Sequence, residues 1–316
     1  MTQRIIITGG AGFIGTHLAE RLKDRAALVL FDNLRRDSLS GTPSLQEAPN
    51  VTFINGNVLD RPSLDRAFTG ADTVLHLAAI AGVSSYYNQP LETLRVNLLG
   101  TVNVLEAAVA AGVKRLIYLS TSETFGSDAM WVSEQSLHQI GNVSDKRWVY
   151  ATSKLAGEHF VMRTGEAAGI GCTILRPFNV YGPRQTGEGA IANFCKAALA
   201  GQPLFVYGDG SSIRAWCFVS DFVDAVMAAL ATPEAIGQDF NIGNPREIET
   251  TLGLARAVAR LAPDATIQFK EVQRAEVRAR VPVIEKARRI LKFEPKVSLE
   301  EGLRQTLDWY RSQENA

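Results

Sequence analysis

The run Thr8-Gly9-Gly10-Ala11-Gly12-Phe13-Ile14-Gly15 constrains the fold more than any other stretch of this chain. It follows the apolar run Arg4–Thr8 directly and opens a helical pattern over 13–23. Gly9 permits a tight turn, Gly12 lets backbone approach a pyrophosphate, and Gly15 lets the helix pack on the strand. The helix start then offers free N–H groups and the positive end of a dipole to phosphate. An ordinary glycine turn is the bland alternative. The strand before, the helix after and a carboxylate at Asp32 argue against it.

The rest of the first half repeats the same rhythm. Apolar β-branched runs at 27–31, 51–54, 73–77, 115–119 and 172–175 read as strands buried on both faces, as in a parallel sheet. Helical patterns lie between them at 13–23, 63–68, 91–111 and 150–168, with Gly112 and Gly169 where C-caps are expected. This alternation predicts an α/β, doubly wound Rossmann sheet. After Arg176 the rhythm changes. A Gly/Pro-rich stretch over 179–189 is followed by helices at 190–200, 219–231, 251–261, 283–291 and 299–310, and by a strand at 204–207.

Composition excludes several function classes. The 316 residues carry 33 basic and 33 acidic side chains, so the concentrated positive field needed for nucleic acid or anionic membrane is missing. The stretch 96–113 is interrupted by Asn97, Thr101, Asn103 and Glu106, which argues against a membrane span. Cys172, Cys195 and Cys217 are an odd number with no zinc-like spacing, so no metal site is expected and a cytoplasmic location is.

Asp32 ends the second strand. A carboxylate there accepts hydrogen bonds from ribose hydroxyls and repels a 2′-phosphate, which favours NAD over NADP. Arg35 and Arg36 follow closely and could accommodate that phosphate, so both cofactors stay open, with Asp32 weighted more heavily. Tyr150-Ala-Thr-Ser-Lys154 opens a helix and stacks a phenol and an ammonium on one face, an arrangement expected to pull the phenol toward its ionised form. Ser120-Thr121-Ser122-Glu123 follows the strand 115–119. In an open parallel sheet it falls on the same edge as the glycine loop. The bland reading of Ser120–Glu123 is a helix cap.

Together with His76-Leu77-Ala78-Ala79, Asn97, Gly100-Thr101-x-Asn103, Ser120–Gly126 and Arg176-Pro-Phe-Asn179-Val-Tyr-Gly-Pro-Arg184, these motifs resemble an extended short-chain dehydrogenase/reductase. The branch is the NAD-dependent nucleotide-sugar epimerase/dehydratase family, and the similarity runs over 4–310. The resemblance implies an NAD-binding domain (1–175 and 213–243), a smaller nucleotide-sugar domain (176–212 and 244–316), a nucleotide-diphosphate sugar as substrate and a homodimer packed through the helices at 91–111 and 150–168. It makes Tyr150 the base at the sugar 4-hydroxyl, Thr121 its relay, Lys154 the group that holds the nicotinamide ribose, and Ser122 and Glu123 the residues that choose the reaction. The cofactor would lie against Gly9, Gly12, Phe13, Ile14, Asp32 and Asn33. It would continue along Asn57, Val58, Leu77, Ala78, Ala79, Asn97 and Pro177. Asn179, Arg214 and Arg280 would hold the diphosphate, and His76 reads as a structural residue.

Three outcomes follow a common oxidation at C4: epimerisation, 4,6-dehydration, or loss of CO₂ from a substrate whose C6 is a carboxylate. Glu123 puts dehydratase or UDP-glucuronate-type decarboxylase chemistry ahead of a 4-epimerase. The stretch 140–150 resembles that of certain UDP-glucuronate decarboxylases. The run 187–190 lacks the arginine those enzymes often carry, which leaves Arg147 or Arg184 to supply a cation. A catalytically silent NAD-binding scaffold is the rival from another class; Thr121, Tyr150 and Lys154 together argue against it.

Overall fold

The computed structural model describes residues 3–271 and 277–314. Its centre is a seven-stranded parallel sheet. From edge to edge the strands are Gln238–Ile242, Gly171–Pro177, Arg115–Leu119, Thr73–His76, Arg4–Thr8, Ala27–Asp32 and Val51–Asn55. Successive residues of a strand face opposite sides. Ile5 and Ile7 enter one apolar cluster while Ile6 enters the other. Both faces are thus covered by helices, which is why these runs are continuously apolar. Because all seven strands run the same way, Thr8, Asp32, His76, Leu119 and Pro177 end on one edge, and the glycine loop, Leu77–Ala79 and Ser120–Glu123 lie just beyond them.

Gly9 takes φ +73°, and a Cβ there would sit 2.8 Å from the backbone nitrogen of Ala78. At Gly15 an added Cβ would come within 2.3 Å of the Gly9 carbonyl oxygen and 2.8 Å of the Gly10 Cα, neither of which can move without opening the turn. We expect Gly15→Ala to cost about 1–3 kcal/mol by overpacking and to abolish dinucleotide binding. Urea denaturation and a fluorescence titration measure the two effects. Unchanged midpoint and affinity would remove the packing role assigned to this glycine.

Several elements differ from expectation. The pattern over 91–111 is not one helix: it is Pro90–Leu94, a π turn over Arg95–Leu99, and Gly100–Ala110. A π turn adds a residue to the coil and re-aims side chains. Here Asn97 points inward, donating to the Ile80 carbonyl and accepting from the Ile80 N–H. The edge strand Gln238–Ile242 lies outside the expected strands, since Asp239 and Asn241 keep it from being the continuous apolar run by which the others are read. A second sheet orders Ile248–Thr250, Ile213–Ala215, Ala279–Pro282 and Asp128–Val132. Its last strand comes from within 1–175 and Ile213–Ala215 from within 213–243, so the chain crosses into this sheet from segments expected in the first domain. The helices Ala190–Leu199, Thr251–Leu261 and Leu299–Glu314 pack together beside it.

Candidate active site

A groove of about 350 Å³ runs along the carboxyl edge of the sheet. It is lined by Gly9, Gly12, Phe13, Ile14, Asp32, Asn33, Asn57, Val58, Leu77, Ala78 and Ala79. The helix Phe13–Leu22 starts from Gly12 with no side-chain cap, so first-turn N–H groups are left for a ligand. Asp32 accepts from the backbone N–H groups of Ala11 (3.2 Å) and Leu34 (2.8 Å), while burial raises its carboxyl above the ordinary value. Both nearby arginines also line the groove; Arg35 donates to Gln89 Oε1 and Arg36 to the Ala81 carbonyl, each at 2.6 Å. A glycine-lined turn, an uncapped helix start and a carboxylate at the ribose position fit a dinucleotide without a 2′-phosphate.

Tyr150 and Lys154 lie in the first turns of the helix Trp148–Ala168, next to the sheet end. The Thr121 hydroxyl is placed to favour the ionised form of the Tyr150 phenol. Thr121 also accepts from the Glu123 N–H at 3.2 Å, capping the short turn Ser122–Phe125. Lys154 is buried. Its Nζ donates to the Leu119 carbonyl at 2.6 Å and lies 4.6 Å from the centre of the Tyr118 ring. The expected pull of Lys154 on Tyr150 is not found. Burial and then the Glu123 charge push the phenol up, against Thr121, Arg36 and Arg280. The ammonium is turned toward Leu119, and burial lowers it to about 7.

Three distant segments meet at Glu123. Arg147 Nη2 is 3.3 Å from one carboxylate oxygen and Arg280 Nη1 is 3.4 Å from the other. Both guanidiniums are buried; the carboxylate is one-fifth exposed. Arg147 also donates to the Tyr86 hydroxyl, and the Tyr86 ring stacks on Tyr150 with centroids 6.1 Å apart. Arg280 donates to the Gly126 carbonyl at 3.0 Å, and its Nε has no partner among the described residues.

Some expected contacts are corrected. Asn97 is fully buried, with its amide held by Ile80 and Ser153, so it shapes the strand end and does not face the groove. Arg280 is turned inward to Glu123 and is not presented to a diphosphate, because burial among carbonyl and carboxylate partners holds it there. Arg214 lies in register beside Arg280 and donates to the carbonyls of Ile213 and Val277. Asn179 donates to the Ala215 carbonyl at 2.9 Å, and Pro177 ends its strand half-buried opposite Ile242. Ser122 is buried behind Thr121. His76 bridges Thr8 and Thr101. Arg184 pairs with Glu20 at 2.7 Å. Tyr86 carried no sequence signal, since its short helix Val83–Asn88 has no periodicity to read.

A family model described as the NAD dependent epimerase/dehydratase family matches residues 5–243. The chain is 36% identical to a UDP-N-acetyl-alpha-D-glucosaminuronate decarboxylase of Bacillus cytotoxicus, over the whole of both proteins. It is 33% identical to UDP-glucuronic acid decarboxylase 1 of Arabidopsis thaliana, over 98% of this chain and 70% of the relative. Its fold superposes with a TM-score of 0.90 on the UDP-glucuronic acid 4-epimerase of Bacillus cereus, solved with UDP-glucuronic acid and NAD. That pair is 30% identical and covers 98% of this chain and all of the other.

Proposed function

The chain belongs to the NAD-dependent epimerase/dehydratase family, and from that premise we propose that it removes CO₂ from a UDP-linked hexuronate, with NAD as its cofactor. One observation carries the choice of substrate. Among the described residues at this site, two buried guanidiniums, Arg147 and Arg280, share the single carboxylate of Glu123. A buried charge without a counter-charge is costly. A substrate carboxylate at C6 balances the excess; a neutral hexose does not.

In this reading Tyr150 takes the proton of the sugar 4-hydroxyl, with Thr121 relaying it. NAD supplies the hydride acceptor at C4. The resulting 4-ketone would make C6 the carboxylate of a β-keto acid; breaking C5–C6 would release CO₂ and leave an enolate on the C4 oxygen, a proton taken up at C5 would restore the ketone, and return of the hydride to C4 would leave a product that differs from the substrate by CO₂ alone. Glu123 competes with the substrate carboxylate for Arg147 and Arg280 and so keeps either cation from clamping it in the ground state. A 4-epimerase of a UDP-hexuronate is the second reading, favoured by the likeness to the Bacillus cereus enzyme. Incubation with UDP-glucuronate and with UDP-N-acetylglucosaminuronate, followed by product masses, tests the proposal. Loss of the mass of CO₂ is expected; an isomer of unchanged mass would transfer the assignment to the epimerase.

Asp32 provides a separate check on the cofactor. Each hydrogen bond from a ribose hydroxyl to a carboxylate contributes about 1.5–3 kcal/mol. Asp32→Ala is therefore expected to weaken NAD binding by about 10- to 100-fold, measured by calorimetry. An unchanged affinity would detach Asp32 from the ribose. We also propose a homodimer. The helical segments 90–110 and Trp148–Ala168 pack side by side and expose Leu91, Leu99 and Phe160, an apolar face suited to a second copy. Light scattering should give twice the chain mass. Three buried, unpaired cysteines suit a reducing compartment such as the cytoplasm. Among the described residues no helix is long and apolar enough to cross a membrane.

A further inference from the structure

We propose that Glu188 is a positioning residue of the dinucleotide site: its carboxylate fastens the segment 185–188, which borders the groove, to Ser84 and so keeps the dinucleotide on the enzyme between the two hydride transfers. The segment follows the strand Val180–Tyr181 and is anchored where it begins. His17 Nε2 donates to the Pro183 carbonyl at 3.0 Å, the Ser38 hydroxyl to the Arg184 carbonyl at 2.9 Å, and the Tyr310 hydroxyl to the Gln185 carbonyl at 2.6 Å. Gly187 then takes φ +87°, a conformation suited to glycine, and brings the chain against the Arg36 side chain. A Cβ there would lie 2.7 Å from Arg36 Nε. Glu188 makes the fastening at the far end. The Ser84 N–H donates to one carboxylate oxygen at 2.8 Å, and Arg36 Nη2 lies 3.9 Å from the other. Gln185, Thr186 and Glu188 line the same groove as Asp32, Arg36 and Gly82, so the contact joins two segments that both border it.

An ordinary surface ion pair is the bland account of Glu188. The pair with Arg36 is long and about one-third exposed on both sides, and such a pair contributes little by itself. The geometry goes further than that. The short contact of the carboxylate is to a backbone N–H, and it spans 104 residues of chain. Gly82 takes φ +106°, and a Cβ there would come 2.9 Å from Arg36 Nη2 and 3.0 Å from Glu188 Cδ. Gly82 and Gly187 thus make the room in which the two charged side chains meet. Arg36 is held in place by the Ala81 carbonyl at 2.6 Å, so the carboxylate closes onto a fixed surface. Because Glu188 is partly exposed, opening the contact returns its charge to water and strands nothing in the interior. A firmly anchored start and a releasable end are what a retaining strap requires. The proposed chemistry gives it a use: the hydride leaves C4 and returns to the same sugar, so early escape of the reduced dinucleotide would strand a 4-keto sugar.

The inference rests on the reading that C4 is oxidised and then restored, which the decarboxylase and the 4-epimerase share, and not on which product is released. The rate at which NADH leaves the full chain tests it, read by stopped-flow fluorescence on displacement with excess NAD. Glu188→Ala removes the acceptor for the Ser84 N–H and the charge facing Arg36, and NADH should leave about ten- to a hundredfold faster. Glu188→Gln keeps an acceptor and loses the charge, so release should quicken less, by about two- to tenfold. The thermal midpoint without dinucleotide should stay within about 2 °C of wild type, because the side chain is partly exposed. A graded rise in release at an unmoved midpoint supports the proposal, since a merely structural carboxylate would not give it. Release at the wild-type rate from both variants overturns it. So does a midpoint that falls in step with faster release, or failure of both variants to fold, because the carboxylate would then serve the fold alone. A wild type that converts neither UDP-glucuronate nor UDP-N-acetylglucosaminuronate sinks the reading on which the inference rests. Unchanged NADH release from the variants of an active enzyme sinks the inference by itself.

Discussion

Tyr150→Phe is expected to lower kcat by about three orders of magnitude while the protein stays folded and binds NAD as before. The variant keeps the ring, and the ring is what packs. Tyr150 is 9% exposed and stacks on Tyr86. Only the hydroxyl is lost, and with it the favourable influence of Thr121 on its ionised form. General-base catalysis by a positioned side chain contributes about 10²–10⁴-fold. The phenol's titration point is pushed up by burial and by Glu123, so at neutral pH it is a reluctant base that needs its neighbours. A second consequence is that wild-type activity should rise with pH on the acidic side, as the phenol gives up its proton more readily. Stopped-flow absorbance of NADH after mixing with UDP-glucuronate measures the step. Turnover within about tenfold of wild type would place the base elsewhere.

The sequence shows the sheet and the dinucleotide groove plainly because both are local patterns. Arg4–Thr8 and Arg115–Leu119 are apolar on both faces, and the glycine loop joins a strand to a helix within a few residues. The sugar end is another matter. Glu123, Arg147 and Arg280 lie on a turn, at a helix start and on a strand of the second sheet, and nothing in their spacing announces that they touch. The resemblance puts Arg280 at the diphosphate, and the sequence does not show that its side chain is turned inward to Glu123. Its burial is fixed by the pairing of Ala279–Pro282 with Asp128–Val132, two segments that no periodicity connects. The lysine–tyrosine pair differs from expectation for a related reason. Helical spacing shows that two side chains share a face, but not that the ammonium prefers the Leu119 carbonyl.

Glu123→Gln separates the chemistry into its two halves. The amide keeps the shape and one acceptor but loses the charge. Arg147 and Arg280 then face the substrate carboxylate without a competitor, so the ground state should bind more tightly and the C5–C6 bond should break more slowly. We expect KM to fall and CO₂ release to drop by about two to three orders of magnitude, while NADH still forms on mixing, because Tyr150 and Thr121 are untouched. Two buried guanidiniums also lose their counter-charge. Breaking such a pair costs about 3–5 kcal/mol when fully buried; with the carboxylate one-fifth exposed, the loss should be somewhat smaller. Lower KM with lower kcat is the signature that distinguishes this role from that of a base taking the C5 proton, whose loss would slow the step without tightening binding. Carbon dioxide evolved at the wild-type rate would reduce Glu123 to a structural partner of its arginines.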